Sequence, residues 1–536
     1  MIGKSRSGRS LFSRCLAPVR AHRSGPSRVF RGAASAAAFP GLGLADVRTP
    51  LYHSACGASP YERGKDFMNQ DRLRAAGARD VGAGRAGPGG PAAGTGSGRA
   101  GLAVPAGQCV REARPSAWVW VTRGRAEAFV ALAAFAVLCI VVLSVASRLV
   151  EPDDYAYRAS IVAVTQGHFL TLSTAQADRL AAQLPGPVAG APGVMQWVQL
   201  PGGRWISEKD PGYPFLAAPF QAAGIIRLAP LFYGALGCLG LFFGARRWLG
   251  RYGGAAAVVL FCSSGAALMF AWRDYMPTFT GAALIAAGTG ALLWAVLAAE
   301  ATSRRRTWTG LAGFAALEAA VSVRYTDVVV LGCAVAAAAA AWKLRAVPTA
   351  ALRWWLGSVA VAGAGLALFN DLVYGGPLTS GYRPGEITFS LGAVLPNLRY
   401  MPAHLIQAMP MLVPGLAALA WIAVRRVRLR RAGDERAAPA RRDLAVGLAL
   451  AASWLSVWGL YAAYTWTADP VLSTLQSARF YVPALGAIAL LGSWLVTRLP
   501  RRATLAAVTS AAAVATFGLG IWSFAVIHQF WLFPRP

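Results

Sequence analysis

The chain has 536 residues, of which 56% are hydrophobic and 14% are charged, so it is too apolar for a soluble protein of this length and is expected to reside in a membrane. Its formal net charge of +29 comes from a long N-terminal segment and from short loops between apolar runs, a pattern of membrane topology and not of a nucleic-acid-binding surface. The seven cysteines show no metal-ligand spacing, so neither a disulfide nor a zinc site is predicted.

Residues 1–115 form a basic segment rich in Arg, Gly, Ala, Ser and Pro with little hydrophobic periodicity. This composition predicts a disordered cytoplasmic tail. No apolar run follows its basic start closely enough for a cleaved signal peptide. The tail is interpreted either as a solvated segment or as one that contacts anionic lipid headgroups.

The first membrane span is predicted from Ala126 to Ala146, about 20 apolar residues preceded by Arg123 and Arg125. By the positive-inside rule, these arginines place the N-terminus in the cytoplasm. The polar residues 151–211 then form a first outer loop, and a short interfacial helix is expected before the next span.

Ten further spans are predicted, which makes about eleven in an all-α polytopic membrane domain over residues 126–536. Every connection dense in Arg or Lys then falls on the cytoplasmic side, and the C-terminus falls outside, as expected of a multi-pass plasma membrane protein. The ten spans lie near Leu228 to Ala245, Gly253 to Ala271, Thr278 to Leu297, Gly310 to Val323, Val328 to Ala341, Trp354 to Phe369, Met409 to Val424, Leu444 to Tyr461, Val482 to Val496 and Ala503 to Val526.

Two adjacent acids, Asp153 and Asp154, follow the first span at the start of a predicted interfacial helix. One interpretation is structural: either carboxylate caps the helix that Pro152 begins. The other is catalytic, because a carboxylate desolvated beside lipid at a helix start can act as a general base on an incoming hydroxyl. The sequence leaves both open.

Later in the same loop, Val198 to Ile206 is predicted to form a hairpin that turns at Pro201-Gly202-Gly203. Lys209 follows it at the outer membrane edge. Its ammonium group could hold a phosphate or could simply extend toward the interface.

Asp274 is one of few acids within an apolar stretch, and such residues tend to face a cavity or a partner group. Arg273 beside it could serve only to neutralise it. Similarly, Arg324 could bind a phosphate or could pair with Asp327.

The chain carries, in order, the acidic pair after the first span, the segments Gly203-Arg-Trp and Pro211-Gly-Tyr-Pro, the Asp after the third span and the late Gln476-Ser-Ala-Arg-Phe-Tyr-Val-Pro. Together these features resemble the GT-C membrane glycosyltransferases. The similarity is closest to the branch of the protein O-mannosyltransferases and the aminoarabinose transferase of lipid A. Phe369-Asn-Asp-Leu-Val-Tyr-Gly-Gly-Pro-Leu-Thr-Ser-Gly-Tyr also resembles a loop of related bacterial membrane proteins. The resemblance runs from about Ala126 to the C-terminus.

This resemblance implies transfer of a sugar from a polyprenyl-phosphate carrier to an acceptor hydroxyl on the outer membrane face. It assigns Asp153 as the catalytic base, with Asp154 and Asp274 orienting the acceptor or the sugar. Lys209, Arg324 and Arg479 are then the candidates for the donor phosphate. Lys209-Asp-Pro-Gly departs from the family's usual Pro-Pro-Gly or Pro-Pro-Leu pattern at that point, which weakens the carry-over for Lys209. The acceptor is left open among a cell-envelope glycan, a glycolipid and a protein.

No Gly-rich phosphate loop of the P-loop or dinucleotide-binding type is evident, so no nucleotide-sugar or ATP site is predicted. Paired acids permit a divalent metal but do not require one, and no metal ligands are assigned. Two other classes of function remain as alternatives: a transporter or flippase of lipid-linked sugars, which would show inverted repeats with charged residues near the bilayer midplane, and a non-catalytic membrane scaffold.

Overall fold

The computed structural model describes residues 117–498, except for residues 148, 150, 183–195, 201, 383–384, 432–436 and 471–472, together with residues 514, 517, 518 and 521. The predicted N-terminal tail of residues 1–115 lies outside the described residues. The last predicted span, residues 503–526, lies almost entirely outside them.

The described chain is helical, as expected of an all-α membrane protein. Its helices are α1 (Ala117–Ser144), α2 (Pro152–Thr165), α3 (Thr174–Ala181), α4 (Gly212–Ala222), α5 (Leu228–Leu249), α6 (Gly253–Cys262), α7 (Gly265–Ala271), α8 (Thr278–Leu297), α9 (Ser303–Val323), α10 (Val328–Lys343), α11 (Thr349–Tyr374), α12 (Val394–Ala408), α13 (Leu412–Arg431), α14 (Ala437–Ala462) and α15 (Leu485–Thr497). Short 3₁₀ helices occupy Tyr325–Asp327, Leu391–Ala393, Trp466–Ala468, Leu475–Phe480 and Val482–Ala484.

Among the described residues, six helices are long and apolar enough to cross a bilayer, or up to eight if each of two bent pairs is one span. The prediction of a polytopic helical protein is confirmed, whereas the number of about eleven spans is not. One bent pair is α6 with α7, at 58°, and the other is Leu391–Ala408 with α13, at 102°. The six single spans are Arg125–Ser144, Leu228–Leu249, Thr278–Leu297, Tyr325–Lys343, Thr349–Tyr374 and Pro439–Ala462.

Three predicted spans differ from the others in the structure. The segment Val482 to Val496 lies in a shorter apolar helix, Val482–Thr497, which is not among the span helices. The segment Gly310 to Val323 belongs to α9, whose first turn carries three arginines and which is not among the span helices. Met409 to Val424 belongs to α13, and the preceding α12 turns sharply away from it.

Helices α5 and α8 pack closely because small residues face each other along both. A Cβ atom at Gly237 would lie 2.9 Å from the carbonyl oxygen of Ala283, and one at Gly240 would lie 2.5 Å from the Cα atom of Ala287. Such close backbone approach is typical of membrane helices, where association depends on van der Waals packing and not on the hydrophobic effect.

The first outer loop folds into a small unit around a three-stranded antiparallel sheet. Strands β1 (Thr171–Ser173), β2 (Trp197–Gln199) and β3 (Arg204–Ser207) are arranged in the order β1-β3-β2, with Val198 opposite Ile206. The predicted hairpin is therefore confirmed, and its turn places Gly202 and Gly203 at φ of 91° and 78°, where a side chain would be strained. The apolar faces of α2, α3 and this sheet form their own buried cluster. As a result, the residues that follow β3 are held against the start of α2.

The loops predicted to be cytoplasmic contact one another in the structure, and so do the loops predicted to be outside. Arg247 pairs with Glu300, while Asp443 accepts hydrogen bonds from Trp248 and Arg498 at 3.1 Å each. The acidic and basic side chains of the predicted outer loops meet in the cluster described next. These contacts group the loops into the same two sets that the sequence predicts. Which set is cytoplasmic, and so the orientation of the termini, stays a prediction.

Candidate functional site

Asp153 lies between two cationic side chains from distant parts of the chain. Its Oδ1 atom is 3.2 Å from Nζ of Lys209, and its Oδ2 atom is 3.2 Å from Nη2 of Arg479. Asp153 is the second residue of α2, so its side chain projects from the helix start toward the loop after β3 and the 3₁₀ helix Leu475–Phe480. The carboxylate side chain is 17% exposed, which keeps it reachable from outside the protein.

Asp154 is the third residue of α2 and forms a capping box with Glu151, the N-cap residue. Its carboxylate accepts a hydrogen bond from the backbone N–H of Glu151 at 3.0 Å, two bonds from the Arg273 guanidinium, and is 1% exposed. The sequence left the capping role open between the two acids, and the structure places it on Asp154. Asp153 is therefore free to face the cations.

Glu151, which precedes α2, completes the acidic group. Its Oε2 atom is 3.3 Å from Nη2 of Arg273 and also pairs with Nη1 of Arg479. The sequence analysis did not single out Glu151. The sequence suggested Arg273 only as a neutraliser of Asp274, whereas in the structure Arg273 forms ion pairs with Glu151 and Asp154.

Lys209 is buried among acidic and aromatic side chains. Its ammonium group contacts Asp153, lies 3.3 Å from Oε1 of Glu208, donates to the Tyr382 hydroxyl at 3.3 Å and sits 4.8 Å from the centre of the Tyr382 ring. Burial alone would lower the pKa of Lys209, but the carboxylates of Asp153 and Glu208 outweigh burial and raise that pKa above its usual value. Lys209 therefore carries a fixed positive charge.

Two acids beside Lys209 have raised pKa values. Burial raises the pKa of Glu208 to about 7, with the nearby Lys209 charge acting in the opposite direction. Burial likewise raises the pKa of Asp210 to about 7, although the backbone N–H of Tyr325 donates to its carboxylate at 3.4 Å. These groups change charge near neutral pH next to Asp153.

Tyr382 reaches Lys209 because the loop after α11 passes very close to the loop after β3. A Cβ atom at Gly381 would lie 2.8 Å from the carbonyl carbon of Glu208, so a larger residue could not occupy that position without movement. The Tyr374 hydroxyl also donates to the carbonyl oxygen of Ser207 at 3.3 Å. Gly381 and Tyr382 end the segment that resembles a loop of related bacterial membrane proteins, but no sequence pattern indicates that Tyr382 contacts Lys209.

The Arg324 side chain contacts the backbone of Arg479 and fixes its position. It donates to the Arg479 carbonyl oxygen at 3.0 Å and to the Tyr461 hydroxyl at 2.8 Å, and its guanidinium lies over the Phe480 ring. The Arg324 nitrogens therefore do not donate to Asp327, the partner that the sequence suggested. Among the described residues, neither carboxylate oxygen of Asp327 accepts a hydrogen bond. Arg324 is thus adjacent to the ion-paired group and contacts it through a backbone carbonyl.

Asp274 lies on the same side of the molecule but outside the ion-paired group. It follows α7, its backbone carbonyl accepts a hydrogen bond from the Tyr213 hydroxyl, and its Oδ1 atom has no hydrogen-bond partner among the described residues. Burial raises the pKa of Asp274 to about 6, while a hydrogen bond from Ser147 and the charge of Arg227 act to lower it. Its electrostatic interaction with Asp154 is the link to the other acids.

The ion-paired group joins four acids to three cations. Glu151, Asp153, Asp154 and Glu208 face Lys209, Arg273 and Arg479, and each contact is at ion-pair distance. Within the described part of the chain, no three His, Cys, Asp or Glu side chains come together in a way that could hold a metal ion. The group can therefore neutralise an anion and position a carboxylate beside it using its own side chains.

Comparison with known proteins gives a likeness of fold. No family model and no curated protein matches the chain. ArnT from Cupriavidus metallidurans, bound to undecaprenyl phosphate, matches with 17% identity and a TM-score of 0.43, over 75% of this chain and 64% of that one. The Archaeoglobus fulgidus oligosaccharyltransferase matches in its apo form with 11% identity and a TM-score of 0.44, over 74% of this chain and 56% of that one.

A second structure of the archaeal enzyme, in complex with Zn and sulfate, matches with 14% identity and a TM-score of 0.43, over 74% of this chain and 53% of that one. Both matching proteins are GT-C membrane glycosyltransferases. This chain therefore spans less than two thirds of the length of either. At these scores and identities the matches assign no activity, which must be argued from the site.

Proposed function

We propose that this chain is a membrane glycosyltransferase that moves a sugar from a polyprenyl-phosphate donor to an acceptor hydroxyl, with Asp153 as the general base. The observation that carries the proposal is the position of Asp153, held by Lys209 and Arg479 at one end of the helical bundle. A carboxylate and two cations at one point are what transfer from a phosphate leaving group requires.

The proposed reaction exchanges one bond for another at the anomeric carbon of the sugar. Asp153 removes the proton of the acceptor hydroxyl, the acceptor oxygen forms a bond to the anomeric carbon, and the bond from that carbon to the phosphate oxygen breaks. The electron pair of the broken bond stays on the phosphate. Lys209 and Arg479 neutralise that charge, and Arg324 supports Arg479 from behind. A single displacement of this kind inverts the anomeric centre.

Asp154 and Asp274 are assigned a supporting role in orienting the acceptor or the sugar. Asp154 acts through its contacts with Arg273 and Glu151, because it is nearly inaccessible. The Oδ1 atom of Asp274 is buried and has no hydrogen-bond partner among the described residues, so it would bind a substrate hydroxyl only after the surrounding side chains move. A divalent metal is not required by this scheme, since the cations of the protein supply the positive charge.

The placement of the site supports an enzyme over a transporter. The ionic side chains lie at helix ends and in loops: at the start of α2, after β3, after α7 and before α15. A transporter would be expected to hold them in broken helices near the bilayer midplane. We assign the transmembrane domain to residues 126–536 with residues 151–211 as its outer loop, in the plasma membrane, with the N-terminus cytoplasmic, the C-terminus outside and a cell-envelope glycan, glycolipid or protein as the acceptor.

The proposal is tested with the full chain purified into lipid, supplied with radiolabelled sugars on undecaprenyl phosphate and a membrane extract as acceptor. Asp153→Asn is expected to lower transfer by roughly 10²–10⁴-fold, as for loss of a general base. Asp178→Asn is the matched control, because Asp178 is an exposed acid on α3 in the same outer loop, and it should retain full transfer. Absence of transfer by the wild-type chain from every donor, or an undiminished Asp153→Asn variant, would refute the assignment.

A further inference from the structure

The contacts around Asp153 differ from those around Asp154 in one respect that matters for ligand binding. The Arg273 and Asp154 side chains are 0% and 1% exposed, so no incoming group can reach that pair. The Asp153 and Arg479 side chains are 17% and 14% exposed. The Lys209 side chain is 6% exposed, and it contacts the more exposed Asp153, as does Arg479. A ligand that takes the place of the Asp153 carboxylate would therefore meet Lys209 and Arg479 together.

Each of these two cations also has a second carboxylate that holds it in place. Lys209 contacts Glu208 at 3.3 Å, and Arg479 pairs with Glu151. If Asp153 moved away, neither cation would be left without an anionic neighbour, and both would keep their positions. Among the residues that the structure describes, Asp153 is the carboxylate that bridges them, with one oxygen on each.

Asp153 is a weaker base while each of its oxygens contacts a cation, because the two positive charges stabilise its ionised form. The same two cations are those that a donor phosphate would need, because an anion of that charge binds where Lys and Arg nitrogens converge. The carboxylate and the phosphate would therefore compete for one position.

Building on the proposed function, we infer that Asp153 is an internal anion that occupies the phosphate position in the empty site, and that a phosphate group displaces it from Lys209 and Arg479. The exchange breaks two ion pairs and forms two, with no covalent change. Displacement frees the Asp153 oxygens at the moment when a donor is bound. The base is thus withheld in the absence of donor and released by it.

If Asp153 only faced the acceptor, removing its charge would not strengthen phosphate binding; if it occupies the phosphate position, it would. Removing the competing carboxylate should strengthen phosphate binding, although the same change abolishes transfer. We expect Asp153→Asn to bind undecaprenyl phosphate about tenfold more tightly than the wild type, a difference of about 1.4 kcal/mol. The polyprenol of the same length, which lacks the phosphate, should bind both proteins equally.

The measurement is equilibrium binding to the full chain in lipid, with undecaprenyl phosphate, the polyprenol and inorganic phosphate as separate probes. Glu300→Gln is the charge-matched control: it also removes one carboxylate, but from an exposed pair with Arg247 among the loops predicted to be cytoplasmic, and its affinities should equal those of the wild type. A gain seen with inorganic phosphate as well would identify the phosphate group alone as the competing ligand. A gain in affinity restricted to undecaprenyl phosphate would show that the phosphate competes with Asp153 only when it carries the polyprenyl chain.

Unchanged or weaker binding of undecaprenyl phosphate in Asp153→Asn would overturn the inference, as would a wild type and variant that both fail to bind any phosphate probe. If Asp153→Asn does not fold, Asp153→Ser carries the same expectation. Adding Lys209→Met to either variant should remove the gain. Failure of the proposed function is a separate result, because it appears as bound donor without sugar transfer, whereas this comparison is of affinity alone.

Discussion

The Arg273 guanidinium donates two hydrogen bonds to the Asp154 carboxylate, with Nε 3.3 Å from Oδ1 and Nη2 2.6 Å from Oδ2. Both side chains are almost completely buried. This pair joins the start of α2 to the turn after α7. Because Arg273 also reaches Glu151, one guanidinium positions the two acids that flank Pro152 and Asp153.

Arg273→Ala is expected to destabilise the protein by about 3–5 kcal/mol, because the buried Asp154 carboxylate loses its ion pair with Arg273 and Glu151 loses one of its two cations. Arg273→Lys should cost less, since it keeps the charge and loses only the two-pronged contact. The midpoint of thermal unfolding in lipid measures both. Arg247→Ala is the control, because its pair with Glu300 is largely exposed and should contribute at most about 1 kcal/mol. Equal losses in Arg273→Ala and Arg247→Ala would contradict the assignment.

Glu208 gives a pH dependence whose sign follows from its raised pKa. The folded-state pKa of about 7 lies above the ordinary value of 4.5, so the folded protein holds the proton through a range in which the unfolded chain releases it. The free energy of unfolding contributed by Glu208 is therefore full below about pH 4.5 and is lost as the pH rises through about 7.

Glu208→Gln removes this dependence. Relative to the wild type, the variant should gain roughly 2–3 kcal/mol in free energy of unfolding between about pH 5 and pH 8. The measurement is the difference between the two denaturation midpoints at each pH, in which the contributions of Asp210 and Asp274 cancel. A difference that does not vary with pH would show that Glu208 titrates normally. Glu300→Gln, at an exposed acid, should show no such variation.

Gly381→Ala should separate the loop after α11 from Lys209. A methyl group at this position would collide with the backbone of Glu208, so the loop must move and carry the Tyr382 hydroxyl away. We expect a loss of about 1 kcal/mol in donor binding, equal to that of Tyr382→Phe, which removes the same hydrogen bond directly. Gly392→Ala is the matched control in the same loop, because a Cβ atom there makes an ordinary contact of 3.4 Å with Ser390. Wild-type affinity in Gly381→Ala would show that the close approach is unimportant.

Asp443 holds together the loops predicted to be cytoplasmic. It accepts hydrogen bonds from Trp248 and Arg498 at 3.1 Å and from Arg425 at 3.4 Å, and it is 1% exposed. Asp443→Ala should lower the free energy of unfolding by about 1–3 kcal/mol, since the buried Trp248 indole loses its acceptor whereas Arg425 and Arg498 are 31% and 38% exposed. It should leave the affinity for undecaprenyl phosphate unchanged, because the cations at Asp153 belong to other loops. A variant of normal stability with altered phosphate affinity would be inconsistent with this separation.

The sequence by itself determined the membrane class, most helix positions and the loops that share a side. Apolar runs of about 20 residues and the alternation of basic loops carry that information locally, as at Thr278–Leu297, where prediction and structure coincide. The hairpin before Lys209 was also predictable, because Gly202 and Gly203 mark its turn. The candidate residues Asp153, Lys209 and Arg479 were selected from the sequence by type and order.

Only the tertiary structure decided how those residues are paired. Asp153 and Asp154 are neighbours of the same type, yet one bridges Lys209 and Arg479 while the other is sealed against Arg273, because successive residues at a helix start point in different directions. The partners of these acids lie more than 50 residues away in the chain, so no local pattern could identify them. Glu151, Glu208 and Tyr382 joined the site for the same reason: their roles arise from contacts between loops that only the packed helices bring together.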